Sequence, residues 1–436
     1  MLSSLSLSNQ NRVTLAWLGY DWANSAFTTL VVTFVYSAYF SQAMAPDPVT
    51  AMTLWSRAIA ISGICIAILA PFLGSLADRG AVRHRYLGAA TLLCIVTTAL
   101  LTFIEPGQPH AVLLALALFI IANTAFEIGG VFYNAFLPDI APAGRIGRLS
   151  GLGWGIGYLG GLACLFLALI ILVRDTPLFG ISTTAGFQYR ATNLLVAGWF
   201  LLFSLPALIL LRAPTKSQSS SVPRPHSRFS LRTFRRLLAY RDTLRFLIAR
   251  LIYNDGLVTI FAFGGIYAAS TFGMSLSEVI QFGIGINIAA GIGAGLAGPL
   301  DDRFGGKKMI LITLLALTGF TLLAAIAPDR DWLWVAGMGI GIVAGPNQAA
   351  SRSLLGRFAP ARHRNEFFGL FAFSGKITAF LGPLLLGLAT QLSGSQRMGI
   401  LIILGFFLVG GILLLGIDEK RGIVLADNDS PAKATH

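Results

Sequence analysis

Charge is what this sequence has least of. Only 12% of its 436 residues are Asp, Glu, Lys or Arg, against about 25% in soluble domains. With 55% of residues hydrophobic and a mean hydropathy of +0.73, an ordinary soluble chain is excluded, because only lipid covers so much apolar surface. Cysteine is nearly absent. Cys65, Cys94 and Cys164 all lie in apolar runs, which reads as small core residues and leaves no disulfide framework. The five histidines are scattered, so no metal-ligand spacing emerges. There is no His-Glu-x-x-His, no phosphate-cradling P-loop, no Gly-x-Gly-Asp to partner the Tyr-Asp of the first apolar run, and no Ser–His arrangement within the runs. These absences argue against a membrane enzyme and against direct ATP coupling. No polar stretch is long enough for a sizeable soluble domain, which argues against a receptor. The opening residues, MLSSLSLSNQNR, do not read as a signal peptide.

What is present is a series of apolar runs. A membrane-crossing helix needs about 20 mostly apolar residues. Roughly twelve such runs occur, near 13–40, 52–77, 86–104, 111–137, 149–173, 191–211, 243–270, 275–300, 309–327, 332–358, 366–392 and 398–417. Their 48 glycines suit close helix packing. With a cytoplasmic N-terminus, the inner loops hold Arg12, Arg79, Arg83, Arg85, Arg145, Arg148, Arg303, Lys307, Lys308, Arg357, Arg362 and Arg364, and the outer loops only Arg57, Arg174, Arg190, Arg330 and Arg397. This bias places both termini inside. It also accounts for the net charge of +13 without a nucleic-acid partner. The expected fold is all-α and integral to the membrane, with twelve helices in two six-helix bundles, 1–211 and 243–418. A cytoplasmic linker, 212–242, joins them, its second part a basic amphipathic helix on the inner leaflet. A disordered tail, 419–436, follows.

The two halves repeat each other. GSLADRGAVRHR follows the second run and GPLDDRFGGKK the eighth, and a shift of 224 residues aligns Gly74 with Gly298, Asp78 with Asp302 and Arg79 with Arg303. A shift of 218 aligns Pro142 with Pro360, Gly151 with Gly369 and Gly157 with Gly375. An acid near a helix terminus interacts with exposed N–H groups and the helix dipole. The glycine permits tight packing, and the cations have acids or lipid phosphates to pair with.

These loops resemble the signature of the major facilitator superfamily, Gly-x-Leu-(Ala/Ser)-Asp-(Arg/Lys)-x-Gly-Arg-(Arg/Lys). The first copy departs at Ala81 and Val82, and the second keeps the pattern better. Within that superfamily the chain resembles the vacuole-effluxer-like family, through YDWANSAF, YNAFLPDIAP, LSGLGWGIGYLGG, YNDG, SRSLLGRFAP and EFFGLFAFSGKITAFLGP. The resemblance implies a secondary carrier working by alternating access, monomeric, without a cofactor, in a bacterial inner membrane. Its partners would be a small-molecule solute, protons and the lipid bilayer. Fungal members are associated with amino-acid efflux from the vacuole. The expected gate comprises Gly74, Asp78, Arg79, Arg83, Glu127, Asp139, Arg145, Asp302 and Arg303, with Glu127 pairing with Arg79 or Arg83, the alternative being that it carries a proton. A drug antiporter is the alternative, although the Arg-x-x-Gln-Gly pattern of drug exporters is missing from ANTAFEIGGVFYNAF.

Charges inside the apolar runs supply the candidate site. At 1.5 Å per residue, Asp255 and Lys376 stand roughly 15–18 Å into their helices and Asp21 roughly 12 Å, near the middle of a hydrocarbon core about 30 Å thick. A charge at that depth costs several kcal/mol unless it meets a cavity or a partner. The first run of each half carries an aromatic, an acid and an Asn together: Tyr20, Asp21 and Asn24, then Tyr253, Asn254 and Asp255. The expected substrate and proton site is Tyr20, Asp21, Asn24, Asn254, Asp255, Lys376 and Arg352. Its mixed charges suit a zwitterion. Permanent ion pairing of these acids, with Arg250 or Lys376, is the structural alternative.

Overall fold

The computed structural model describes residues 7–44, 48–80, 82–174, 176–211 and 237–429. Most of the expected linker, including its basic amphipathic helix up to residue 236, and the end of the tail lie outside the described residues. The principal helices are α1 Leu7–Ala26, α2 Pro48–Gly80, α3 Arg83–Leu101, α4 Ala111–Ala135, α5 Ile146–Ile171 and α6 Thr192–Leu210. Then come α7 Arg241–Phe272, α8 Leu276–Phe304, α9 Gly306–Ile326, α10 Arg330–Phe358, α11 Arg364–Ser374, α12 Leu381–Ser393, α13 Gln396–Leu415 and α14 Glu419–Asn428. The described residues include no strand. That outcome follows from the medium, since a helix satisfies its own backbone where no water reaches.

Among the described residues, nine helices are long and apolar enough to cross a membrane. The other three expected runs take other forms. The first is α1 continued by a π-helical stretch, Phe27–Phe34. The tenth is the 29-residue α10, which carries Arg330, Asp331, Arg352 and Arg357. The eleventh is broken into α11 and α12 by turns over residues 375–380.

The expected disordered tail is corrected over Glu419–Asn428, which forms α14. Asp418 caps it, accepting from the Arg421 N–H at 3.0 Å. Arg421 donates two bonds of 2.7 Å to Asp242 at the start of α7, and that bond holds its guanidinium protonated beyond the usual arginine range. Glu419 accepts from Gly306 N and Lys307 N, both at 3.0 Å, at the first turn of α9. The tail's polar composition signals solvent, but its helix is fixed by partners far away in sequence.

The helices cluster into two compact units whose borders differ from the repeat boundary. One holds 1–66, 82–133 and 156–213, and the other 67–81, 134–155 and 214–436. α2 and α5 therefore contribute to both. In the second unit the last turns of α2 and the first turns of α5 pack among helices of the C-terminal half. Glycine makes this approach possible. A Cβ on Gly151 of α5 would collide with the main-chain oxygen of Ala294 on α8, and one on Gly369 of α11 with that of Ala70 on α2. The two contacts are related by the same shifts of 224 and 218 that align the sequence. In the first unit, Gly157, Gly160 and Gly161 of α5 press on Asp21, Trp22 and Ser25 of α1.

Gly151→Ala and Gly369→Ala are expected to cost about 1–3 kcal/mol each, as overpacking does. Gly319→Ala in α9, where an added Cβ meets nothing within 4 Å, is expected to be neutral or to gain up to about 1 kcal/mol from helix propensity. Thermal unfolding of the purified variants checks this, and equal losses in all three would remove the packing explanation.

Candidate functional site

A helix leaves the N–H groups of its first turn without internal partners, and they carry the positive end of its dipole. In the second unit two aspartates use this twice. Asp78, in the last turn of α2, accepts from Asn365 N at 3.2 Å, Glu366 N at 2.8 Å and the Asn365 side-chain amide at 2.6 Å. Asp302, in the last turn of α8, accepts from Gly147 N at 2.7 Å and Arg148 N at 3.0 Å. Residues 365 and 366 open α11, and 147 and 148 open α5. The 224 shift relates the two acids and the 218 shift relates the two pairs of donors. Gly74 and Gly298 are part of the same geometry: a Cβ on either would strike Asn365 or Arg148 main-chain atoms.

A polar network surrounds these contacts. Arg357 bonds Asp301 at 2.8 Å and reaches Asp302 at 3.5 Å. The Ser353 hydroxyl donates to Asp301, and Asp139 pairs with Arg364. Arg352, expected among the substrate groups, lies beside this network. It is 3% exposed, and donates to Ser150 Oγ at 2.9 Å, Ser150 O at 2.6 Å and Asn134 Oδ1 at 3.2 Å. Arg145 and Arg303 are exposed. The side chain of Arg79 lies outside the described residues. Arg83 and Glu127 belong to the first unit and are both half-buried. Asp78, His363 and Glu366 bring ligand-type atoms within 4.8 Å of one another, but both Asp78 oxygens already accept amide protons. Asp301, Ser150 and Asn365 were not singled out from sequence, and Arg357 and Arg364 only as inner-loop cations. The doubled acid of DDR and the 218 shift, which pairs Asn365 with Gly147, were the available signals.

The intramembrane candidates fall in two places. On α1, Asp21 is 9% exposed, with Asn24 equally withdrawn. Ser25 donates to Asp21 O at 2.8 Å and to Asn24 Oδ1 at 3.4 Å. Tyr20 turns into the bundle, its hydroxyl 2.8 Å from Thr91 Oγ1 and its ring stacked on Tyr133 at 4.7 Å. On α7, the Tyr253 hydroxyl meets Ser351 Oγ at 2.8 Å. Asn254 donates to Gly375 O at 3.3 Å. Asp255 is buried, and neither carboxylate oxygen accepts a hydrogen bond. Lys376 is half-buried on the turns that break span 11.

Long apolar helices, an internal repeat and paired acid-capped helix ends define a class. Among solved structures, the proton:xylose symporter XylE, of the major facilitator superfamily, superimposes with a TM-score of 0.71 at 14% identity, covering 95% of this chain and 97% of that one. The E. coli fucose:proton symporter FucP superimposes with a TM-score of 0.70 at 16% identity, over 94% and 98%. The fold is the all-α major facilitator fold, and the chain is a multi-pass membrane transporter of that superfamily. The sequence profile described as "Vacuole effluxer Atg22 like" matches residues 46–427, so the chain belongs to that family. It is similar to an uncharacterised MFS-type transporter, YxiO, of Bacillus subtilis, 29% identical over 424 residues and covering 95% of this chain and 97% of that one. It is also similar to autophagy-related protein 22 of Cryptococcus neoformans var. neoformans, 27% identical over 297 residues, 63% of this chain and 51% of the relative. The match thus spans about half of that fungal protein.

Replacing Asp302 or Asp78 separates charge from hydrogen bonding. Asn keeps an acceptor and loses the dipole interaction, worth about 0.3–2 kcal/mol. Ala also strands two amide donors, at about 1–3 kcal/mol. The Ala variants are therefore expected to unfold at lower temperature than the Asn variants. Identical values would mean that the acids do not cap these helices.

Proposed function

We propose that this transporter moves a small zwitterionic solute, most simply an amino acid or a short peptide, as an effluxer working by alternating access with proton coupling. The observation that carries the reading is the presence of both signs of charge within the spans: Asp21 and Asp255, both withdrawn from solvent, and Lys376. A zwitterion matches each of its charges with an opposite one and so lowers the cost of entering a low-dielectric site. An apolar drug gains nothing from those charges. Asn24 and Asn254 add neutral hydrogen-bonding groups. The effluxer reading is supported by the family's description as vacuole effluxers, and proton coupling by the presence of buried acids.

The capped helix ends act as the cytoplasmic gate in this reading. Asp78 and Asp302 each hold two main-chain donors of another span. Contacts of this size, about 0.3–2 kcal/mol each, form and break within a transport cycle without unfolding a helix. Arg352, held by Ser150 and Asn134, belongs to the same closure rather than to the solute site. The repeat at 1–211 and 243–418 supplies the two six-helix bundles that rock against each other, in a monomer of a bacterial inner membrane. Both termini lie inside, as the cation bias requires. Single cysteines at Ser219 and Ser395 are expected to label from opposite sides, and labelling of both from outside would overturn this orientation.

The transport test begins with a solute screen by thermal shift, since a ligand that binds only the folded state raises stability. Lys376→Met and Asp21→Asn are expected to abolish transport of the solute found, in proteoliposomes. Asp78→Asn is expected to slow transport while leaving solute-induced stabilisation intact. Full transport in both Lys376→Met and Asp21→Asn would sink the charged-site reading, and full transport in Asp78→Asn would sink the gate.

A further inference from the structure

α11 stops at Ser374, residues 375–380 run as turns, and α12 resumes at Leu381. A helix interrupted within the apolar core leaves main-chain groups that lipid cannot satisfy. α7 supplies partners. Arg250 Nη1 donates to Phe371 O at 2.7 Å and to Ser374 Oγ at 2.9 Å, and its guanidinium lies 3.5 Å over the Phe371 ring. One turn on, Asn254 donates to Gly375 O at 3.3 Å.

Asp255 follows directly and is left over. It is 1% exposed and both carboxylate oxygens lack a hydrogen-bond donor. The Thr259 hydroxyl donates at 2.6 Å to the main-chain oxygen of Asp255, not to its carboxylate. The Thr378 hydroxyl, on the break, lies close enough to act on the carboxylate but outside hydrogen-bond geometry; its bond runs to Leu251 O at 3.5 Å. Gly256 beside it faces the ring of Phe407 and the Cβ of Phe406 on α13. The charged and titratable groups of the neighbouring elements are few. Within two turns of it α7 carries Arg250 and Tyr253; the break carries Lys376, α11 Arg364 and Glu366 at its start, α10 Arg352 and Arg357 in its last turns and Arg330 and Asp331 at its start, α12 none, α13 only Arg397 at its start, and α8 none between Glu278 and Asp301. The Arg250 guanidinium is turned to Phe371 and Ser374, and the Tyr253 hydroxyl to Ser351.

An ionised carboxylate buried without donors is strongly disfavoured, so this site calls for a small cation. Interrupted spans are where carriers expose the main-chain carbonyls that bind coupling ions. We propose that Asp255 and the broken segment of span 11 form a coupling site for a monovalent cation. The occupant is a proton on the carboxylate, or a sodium ion held between the carboxylate and main-chain oxygens of the break. The assignment rests on the carrier reading above and adds a coupling task for Asp255 to its place among the charges of the spans.

The test is thermal unfolding of the purified full-length protein in detergent with no solute. Sodium chloride is titrated against choline chloride at constant ionic strength, and pH is varied separately. If the cation is sodium, the unfolding temperature rises with sodium; if it is a proton, stability falls as pH rises, because the carboxylate must then ionise where it is buried. Asp255→Asn is expected to abolish the dependence or to move its midpoint by ~10-fold or more in cation concentration. If Asp255→Asn does not fold, Asp255→Glu, which keeps the acid and displaces it, is expected to move the same midpoint. A wild-type protein indifferent to both ions, or a folded variant with the wild-type dependence, overturns the proposal. Because no solute is present, this result and the solute screen can fail independently.

Discussion

The first-turn amides of a helix have to be satisfied, and in this protein they are satisfied by aspartates from a distant part of the chain. Much of the second unit depends on that constraint. Asp78 and Asp302 bring the ends of α2 and α8 onto the starts of α11 and α5. The approach needs glycine at 74 and 298, because any side chain there would meet main-chain atoms. Arg357 neutralises the resulting concentration of acid by reaching Asp301 and Asp302 together. Its guanidinium also lies 3.6 Å from Glu419 of the tail helix, which ties α14 to the same network.

Small residues matter in this fold for what they admit. α5 presents one set of glycines to α1 and another, earlier set to α8, so a single helix lies in main-chain contact with partners in two compact units. In lipid no hydrophobic force distinguishes helix contact from solvation by acyl chains, so close packing and main-chain polarity carry the association. The same economy is seen at the break in span 11. Arg250 and Asn254 serve backbone oxygens there, and their neighbour Asp255 remains without a donor.

Composition and repetition made a good part of this legible beforehand. Low charge and long apolar runs require lipid, lipid requires helices, and the repeated GSLADR and GPLDDR loops imply two related halves with an acid at each helix end. Those conclusions rest on properties local to a few residues, such as hydropathy, glycine and a terminal acid. The partners of the acids were less accessible. Nothing local to Asn365 announces that its N–H meets Asp78, and only the second shift, of 218 residues, contained the hint.

The sequence by itself therefore determined the class of medium, the helical architecture, the repeat and the acids that would have to be explained. Tertiary structure alone decided which charges meet. It set Arg352 against Ser150 and Asn134. It turned a polar tail into a docked helix, and it left Asp255 buried beside an interrupted span. The physical reason is that a charge's role depends on its distance from groups hundreds of positions away, and hydropathy and periodicity report only on neighbours along the chain.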